Sequence, residues 1–387
     1  MAVLGVVLRL FFVIPLPFNY RFLVHAHSHT ALLGWIYIGL TTIIYKVYLE
    51  ESAKTLAYKR LFAFTNICIL GMLFTFPFQG YALFSIIFST SFLFASYYFT
   101  WFAFKNVSDR YKNTFSWKLV KSSLWYLVIS SIGPWMIGLV MATLGTESIW
   151  YKNSIYFYLH FQYNGWFIVA LLGFFFYLLE KQNLALNQSD QKSVFLLLHT
   201  SIIMTFFLSV LWSNPPIIYN VLGGIGAIIQ IVVFLKLFKI LHKPFSDLKN
   251  FSGLSGNWLL NTAVILLLVK LFLQMISAIP YVANLALTYK DFVIGYLHLV
   301  LLGVVVTTML VFLNYFGLLR IPRYFLDFFL FAFFSTEILI FYKGLAFWQH
   351  LSFIPSYYHI LATLSLLFPI GIAVLFFKSV KSFYLSK

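Results

Sequence analysis

Charge is what this sequence has least of: 9% of its 387 residues are charged and only ten are acidic. With 62% of residues hydrophobic and 21% aromatic, a soluble domain of this size would expose large apolar areas, so a soluble fold is excluded. Cysteine is nearly absent. The single Cys68 lies inside an apolar run, which excludes a disulfide framework and any CxxC or CxxCH attachment motif. Long polar insertions, low-complexity runs and linkers are missing too, so residues 1–387 read as one polytopic membrane domain.

What fills the chain instead is a succession of apolar stretches. A spanning helix needs about 20 mostly apolar residues, and twelve such stretches are found at 2–17, 22–45, 61–78, 82–104, 119–144, 154–179, 193–212, 216–235, 258–280, 292–317, 324–342 and 357–377. The prediction is an all-α integral membrane protein of about twelve transmembrane helices. The opening MAVLGVVLRLFFVIPLPF is read as the first helix, since it lacks the basic leader and small-residue cleavage site of a signal peptide. A net charge of +16 invites a nucleic-acid reading, but the basic residues are scattered over loops with no nucleic-acid-binding fold around them. The bilayer is the expected partner and nucleic acid is not. Most Lys and Arg fall in loops after even-numbered helices or in the C-terminal tail, whereas the opposite loops hold Arg21, Lys152, Lys290 and Lys343. The positive-inside tendency then puts both termini in the cytoplasm, with even-numbered helices entering from the outer side.

The informative feature is internal. HSHTALLGW carries His29 with Gly34 and Trp35, YLHFQYNGW carries His160 with Gly165 and Trp166, and YLHLVLLG carries His298 with Gly303. The shared form is His-x4-Gly, twice continued by Trp, at intervals of 131 and 138 residues. Such a period fits a triplicated four-helix unit with repeats at 1–115, 116–250 and 251–387 and the motif on helices two, six and ten. At ~1.5 Å of rise per residue the three histidines lie about 8–12 Å below the outer ends of their helices, all at one level. Five residues of α-helix turn the chain by about 140°, so each glycine is expected off the histidine's face, admitting a neighbouring helix closely.

An imidazole in hydrocarbon must find hydrogen-bond partners or a metal. A single such histidine reads most simply as bonded to a carbonyl or tyrosine, whereas three at a common depth point to a metal or haem, because imidazole suits iron, copper and zinc. His25 and His29 are four apart and share a helix face, with His27 nearly opposite. His29 is favoured as a ligand, with His25 in reserve. His199 on helix seven falls about 10 Å deeper than the trio, which sets it apart from His160. Lys270 on helix nine and Glu337 on helix eleven stand inside the bilayer at similar depth and are expected to pair with each other, or Lys270 to lie among polar neighbours such as Gln274. His242, among lysines, reads as a cytoplasmic loop residue.

Twelve helices in three pseudo-symmetric four-helix arcs, with histidines near the outer ends of helices two, six and ten, resemble the catalytic subunit I of haem-copper oxidases, the cytochrome c and quinol oxidase polypeptide I. The NnrS-type haem- and copper-containing membrane proteins share this plan, and HAHSHTALLGW looks like the family's second-helix histidine motif. The resemblance implies a low-spin b-type haem held by His29 and His298, and copper held by His160 with, at best, His199. It departs from the family at Tyr296, where a second helix-ten histidine would hold the oxygen-reducing haem, and at Thr200, where a histidine would follow His199. A bis-histidine haem needs two ligands, and both are present; the binuclear centre lacks its set. Tyr163, three after His160 on the same face, and Tyr296 are the candidate catalytic residues.

The function so implied is a haem-binding membrane redox protein of the bacterial plasma membrane, transferring electrons or binding or reducing O2 or NO, with a protein or quinol as electron donor. Terminal-oxidase-like or NO-related oxidoreductase activity would follow. Two other readings stand beside it. One is a metal-handling or transport protein that gathers zinc or copper with His25 and His29 and His350 or His359. It predicts a polar route across the membrane, whereas Asn66, Gln79, Gln162, Asn164, Gln230, Lys270, Gln274 and Glu337 are spread over seven helices. The other is a structural subunit without cofactor.

Overall fold

The computed structural model describes residues 1–247 and 253–385, with side chains described outside 241–257 and 380–387. No strand occurs among the described residues. After a short helix α1 (Ala2–Leu10) come α2 (Tyr20–Leu49), α3 (Thr55–Gln79), α4 (Leu83–Asn106), α5 (Phe115–Thr143), α6 (Ile149–Lys181) and α7 (Gln188–Ser213). They are followed by α8 (Ile218–Asp247), α9 (Gly253–Ile276), the short α10 (Pro280–Thr288), α11 (Lys290–Tyr315), α12 (Arg323–Trp348) and α13 (Tyr357–Ser379). All but α1 and α10 contain an apolar stretch long enough to cross a bilayer, giving 11 candidate spans among the described residues. The protein is an all-α, multi-pass membrane protein.

The expected first span, 2–17, is the exception. Its helix ends at Leu10 because Pro15 and Pro17 lack amide hydrogens and push the residues before them toward extended backbone. Proline also explains the internal breaks. α5 is interrupted at Ser131, three residues before Pro134, and α13 at Leu366, three before Pro369.

Packing divides the chain into two compact units, residues 1–106 with 309–387 and residues 107–308, so the second boundary falls inside α11. In the first unit α2 packs on α1 and α3, α3 on α4, and α12 on α13. In the second, α5 packs on α6, α7 on α8, α8 on α9, and α9 on the middle of α11. The units do not follow the expected threefold repeat, whose boundary at 250/251 lies outside the described residues. His242 falls on the C-terminal stretch of α8, where side chains are outside the described residues.

The repeat nonetheless has a structural counterpart. His29, His160 and His298 each end an α-helical stretch and are followed at once by a π-helical segment: Thr30–Ile36, Phe161–Phe167 and Leu299–Val306. Tyr37 N–H donates to the Leu32 carbonyl and Thr307 N–H to the Leu302 carbonyl, the five-residue bond of a π-turn. The spacing of His-x4-Gly is that same interval. The expected 140° offset assumes α geometry throughout and does not describe these turns. The three helices carrying the motif are also the most buried spans, with 78% of the apolar stretch buried in α2, 78% in α6 and 67% in α11, against 28–50% elsewhere. Because they start earlier than expected, their histidines lie about 12–17 Å below the N-terminal ends.

Two of the motif glycines, Gly34 and Gly165, admit close neighbours, as expected. A Cβ built on Gly165 would stand 2.5 Å from the Tyr126 ring of α5, and one on Gly34 would stand 3.2 Å from the Ile69 side chain of α3. The tryptophans diverge: Trp166 is fully buried, whereas Trp35 is exposed. Gly165→Ala should lower thermal stability in detergent by about 1–3 kcal/mol through overpacking. Gly34→Ala should cost less, because a methyl group can yield. Gly138→Ala, whose Cβ meets nothing within 4 Å, should be neutral or mildly stabilising. An equal effect at all three would refute the packing argument.

Candidate functional site

Two polar clusters surround the sequence-predicted residues, one in each unit. In the first unit, α2 presents His25 and His29 on one face and His27 on the other, as their spacing requires. His27 turns to α1, where its Nδ1 donates to the Met1 carbonyl at 3.1 Å. His29 Nδ1 lies 2.8 Å from the His25 carbonyl. A carbonyl can only accept, so Nδ1 carries the ring proton and Nε2 keeps its lone pair. Nε2 accepts from the Tyr81 hydroxyl at 3.2 Å. The Phe76 ring of α3 lies 4.4 Å from the His29 ring, while Tyr81 stands edge-on to His25 at 4.7 Å.

Tyr81, in the turn between α3 and α4, is a partner that sequence reasoning missed; nothing in its spacing relative to α2 points to it. His350 and His359 are exposed, and no three His, Cys, Asp or Glu side chains among the described residues are gathered as a metal-binding group. His298, partly buried, belongs to the second unit.

In the second unit the centre is Lys270 on α9. It is fully buried, and its ammonium donates to Asn164 Oδ1 of α6 at 2.8 Å, to Gln274 Oε1 at 2.6 Å and to Gln230 Oε1 of α8 at a long 3.5 Å. Gln274 Nε2 closes the ring by donating to Gln230 Oε1 at 2.8 Å, and the Tyr296 hydroxyl of α11 reaches Gln274 Oε1 at 3.4 Å. Of the two expectations for Lys270, the one that places Gln274 among its polar neighbours is seen. Lys270 is held by amide oxygens of its own unit, while Glu337 interacts electrostatically with Arg9 of α1.

The ammonium's directionality propagates. Lys270 can only donate, so Asn164 must offer it oxygen and turn its amide nitrogen the other way. That nitrogen donates to His160 Nδ1 at 3.2 Å. Nδ1 is therefore an acceptor, Ser209 Oγ lies 3.1 Å from it, and the ring proton sits on Nε2, which donates to the Ile202 carbonyl of α7 at 2.8 Å. Both nitrogens of His160 are engaged. The Tyr163 hydroxyl lies against Ser209 and Asn164, beside Tyr296.

His160, Tyr163 and Tyr296 thus share one cluster with four of the polar positions that the sequence left scattered. His199 does not join it: its Nδ1 meets the Tyr126 hydroxyl at 2.9 Å and its ring packs on Phe195 at 4.1 Å. Gln162 likewise turns away, donating to Ser130 Oγ at 2.9 Å.

Comparison with protein-family models and with curated proteins gives no match to the chain.

Asn164→Leu strips the lysine of a close acceptor and His160 of a donor in one step. Breaking a buried charge from its partners costs about 3–5 kcal/mol, whereas Gln162→Leu, which removes one neutral bond, should cost about 1–3 kcal/mol. Thermal unfolding of the two variants in detergent measures the difference; equal losses would show that the lysine does not depend on Asn164.

Proposed function

We propose that the chain is a membrane redox protein in which motif histidines ligate haem iron, His29 foremost. The observation that carries the reading is the state of the His29 ring. Metal-ligating histidines characteristically give one ring N–H to a carbonyl or carboxylate, leaving the other nitrogen's lone pair for the metal. The His25 carbonyl does this for His29. The flanking Phe76 and partial burial give the apolar surround that tunes a haem potential. The residues around His29 therefore fit a single imidazole ligand: His29 would hold the group through Nε2, in place of the hydrogen bond from the Tyr81 hydroxyl.

Bound haem would supply one-electron chemistry and, with an open coordination position, binding of O2 or NO. The chain's own part is to fix the imidazole, exclude water and position the cofactor. His298 shares the α-to-π junction with His29. His160 has the opposite tautomer, with Nε2 protonated and bonded to a carbonyl, so copper binding there would require it to leave Ile202 and Asn164. Electron transfer or gas binding at haem is accordingly preferred over oxygen reduction at a haem-copper pair.

A reduced-minus-oxidised spectrum of the purified protein should show a b-type haem band. His29→Ala should abolish it; His160→Ala should retain it. Tyr81→Phe should also retain the band, since the phenol only covers Nε2. Carbon monoxide added to the reduced protein tests for an open iron position. A colourless preparation, or a band indifferent to His29, would overturn the proposal.

A further inference from the structure

The neutral surroundings of Lys270 are unusual for a buried charge. Within a membrane-spanning helix an ammonium is ordinarily paired with a carboxylate or reaches toward the interface, yet every hydrogen-bond partner of Lys270 is a side-chain amide: Asn164, Gln230 and Gln274. No carboxylate is among these partners; ion pairs elsewhere in the chain include Lys46–Glu50, Lys112–Asp109, Lys236–Asp190 and Arg323–Asp327.

The chemistry of this cage narrows what it can hold. An anion is disfavoured because three amide oxygens present negative dipole ends and the ammonium's three protons are directed to them. A divalent cation is disfavoured because neutral amides do not offset the cost of stripping its water, a task for which hard divalent ions recruit carboxylates. A monovalent cation of ammonium size, for which carbonyl-type oxygens replace the hydration shell, remains. The three oxygens come from three helices, α6, α8 and α9; without a cation at the centre Asn164 Oδ1 would lose its ammonium donor, and Gln230 Oε1 and Gln274 Oε1 would keep only the bonds from Gln274 Nε2 and the Tyr296 hydroxyl.

We infer that the carboxamide oxygens of Asn164, Gln230 and Gln274 form a monovalent-cation site in which the Lys270 ammonium is a built-in occupant, and that the site takes free potassium or ammonium once that occupant is removed. Covalent tethering gives Lys270 a high effective concentration at the cage, so external salt does not displace it in the natural protein. The charge stays fixed between α6, α8 and α9 whatever the ionic surroundings. This inference does not depend on haem or on any histidine ligand.

The test uses the full chain in detergent. Thermal unfolding of Lys270→Met and Lys270→Ala is measured in potassium chloride, ammonium chloride and N-methylglucamine chloride at equal ionic strength. For either variant the folded-to-unfolded ratio should rise about tenfold when potassium or ammonium reaches ten times its dissociation constant, while N-methylglucamine, too large for the cage, gives no rise. The natural protein should be indifferent to the choice of cation. Adding Gln274→Leu to Lys270→Ala should abolish the response. Where a variant is recovered folded only from potassium- or ammonium-containing buffer, that rescue is itself the expected result. Equal stability in all three salts, an equal response in the natural protein, an undiminished response in the double variant, or failure to recover either single variant in any salt overturns the inference.

Discussion

A buried ammonium can only donate hydrogen bonds, and in hydrocarbon it has no water to fall back on. That constraint orders the second unit. Lys270 fixes which end of Asn164 faces it, Asn164 then fixes the acceptor nitrogen of His160, and the remaining ring proton is committed to the Ile202 carbonyl. Three helices that share no sequence motif are thereby registered by one charge. Removing the charge alone would strip Asn164 Oδ1 of its ammonium donor and take one donor each from Gln230 and Gln274, which is why a polar cluster of this kind tends to be complete or not to form.

The other organising feature is geometric. Three times the chain passes from α- to π-helix directly after a histidine, in the three spans with the greatest burial. π-Turns are rare and concentrate at functional sites because they cost hydrogen-bond geometry without adding packing. Here they coincide with glycines that let Tyr126 and Ile69 come close, so the cost of the wider turn is offset where neighbouring side chains fill the space.

Much of the architecture was legible in composition. Apolar stretch length located the spans, and the even spacing of histidines marked the inner helices before any packing was known. The failures have definite causes. Span 2–17 ignored two prolines. The glycine offset assumed an α-helical turn throughout. Within the candidate site, the i,i+4 pairs His160/Asn164 and Lys270/Gln274 were readable as shared faces; that the two faces meet was not, because helix rotation is set by packing rather than by local sequence. Tyr81 and the Ile202 carbonyl carry no sequence signal at all.

The contrast between two copies of one motif shows what repetition does and does not preserve. At His29 a carbonyl one turn earlier takes the Nδ1 proton and leaves Nε2 basic; at His160 an amide takes the Nδ1 lone pair and Nε2 becomes the donor. The backbone junction is the same, and the chemistry of the ring is reversed. The difference traces to Asn164, four residues after His160, where the first copy has Leu33 and the third Leu302. A leucine there cannot donate, so the His29 ring does not receive the polarity that Lys270 imposes on the second copy. Between the first two copies, the residue four places after the histidine thus decides which ring nitrogen carries the proton.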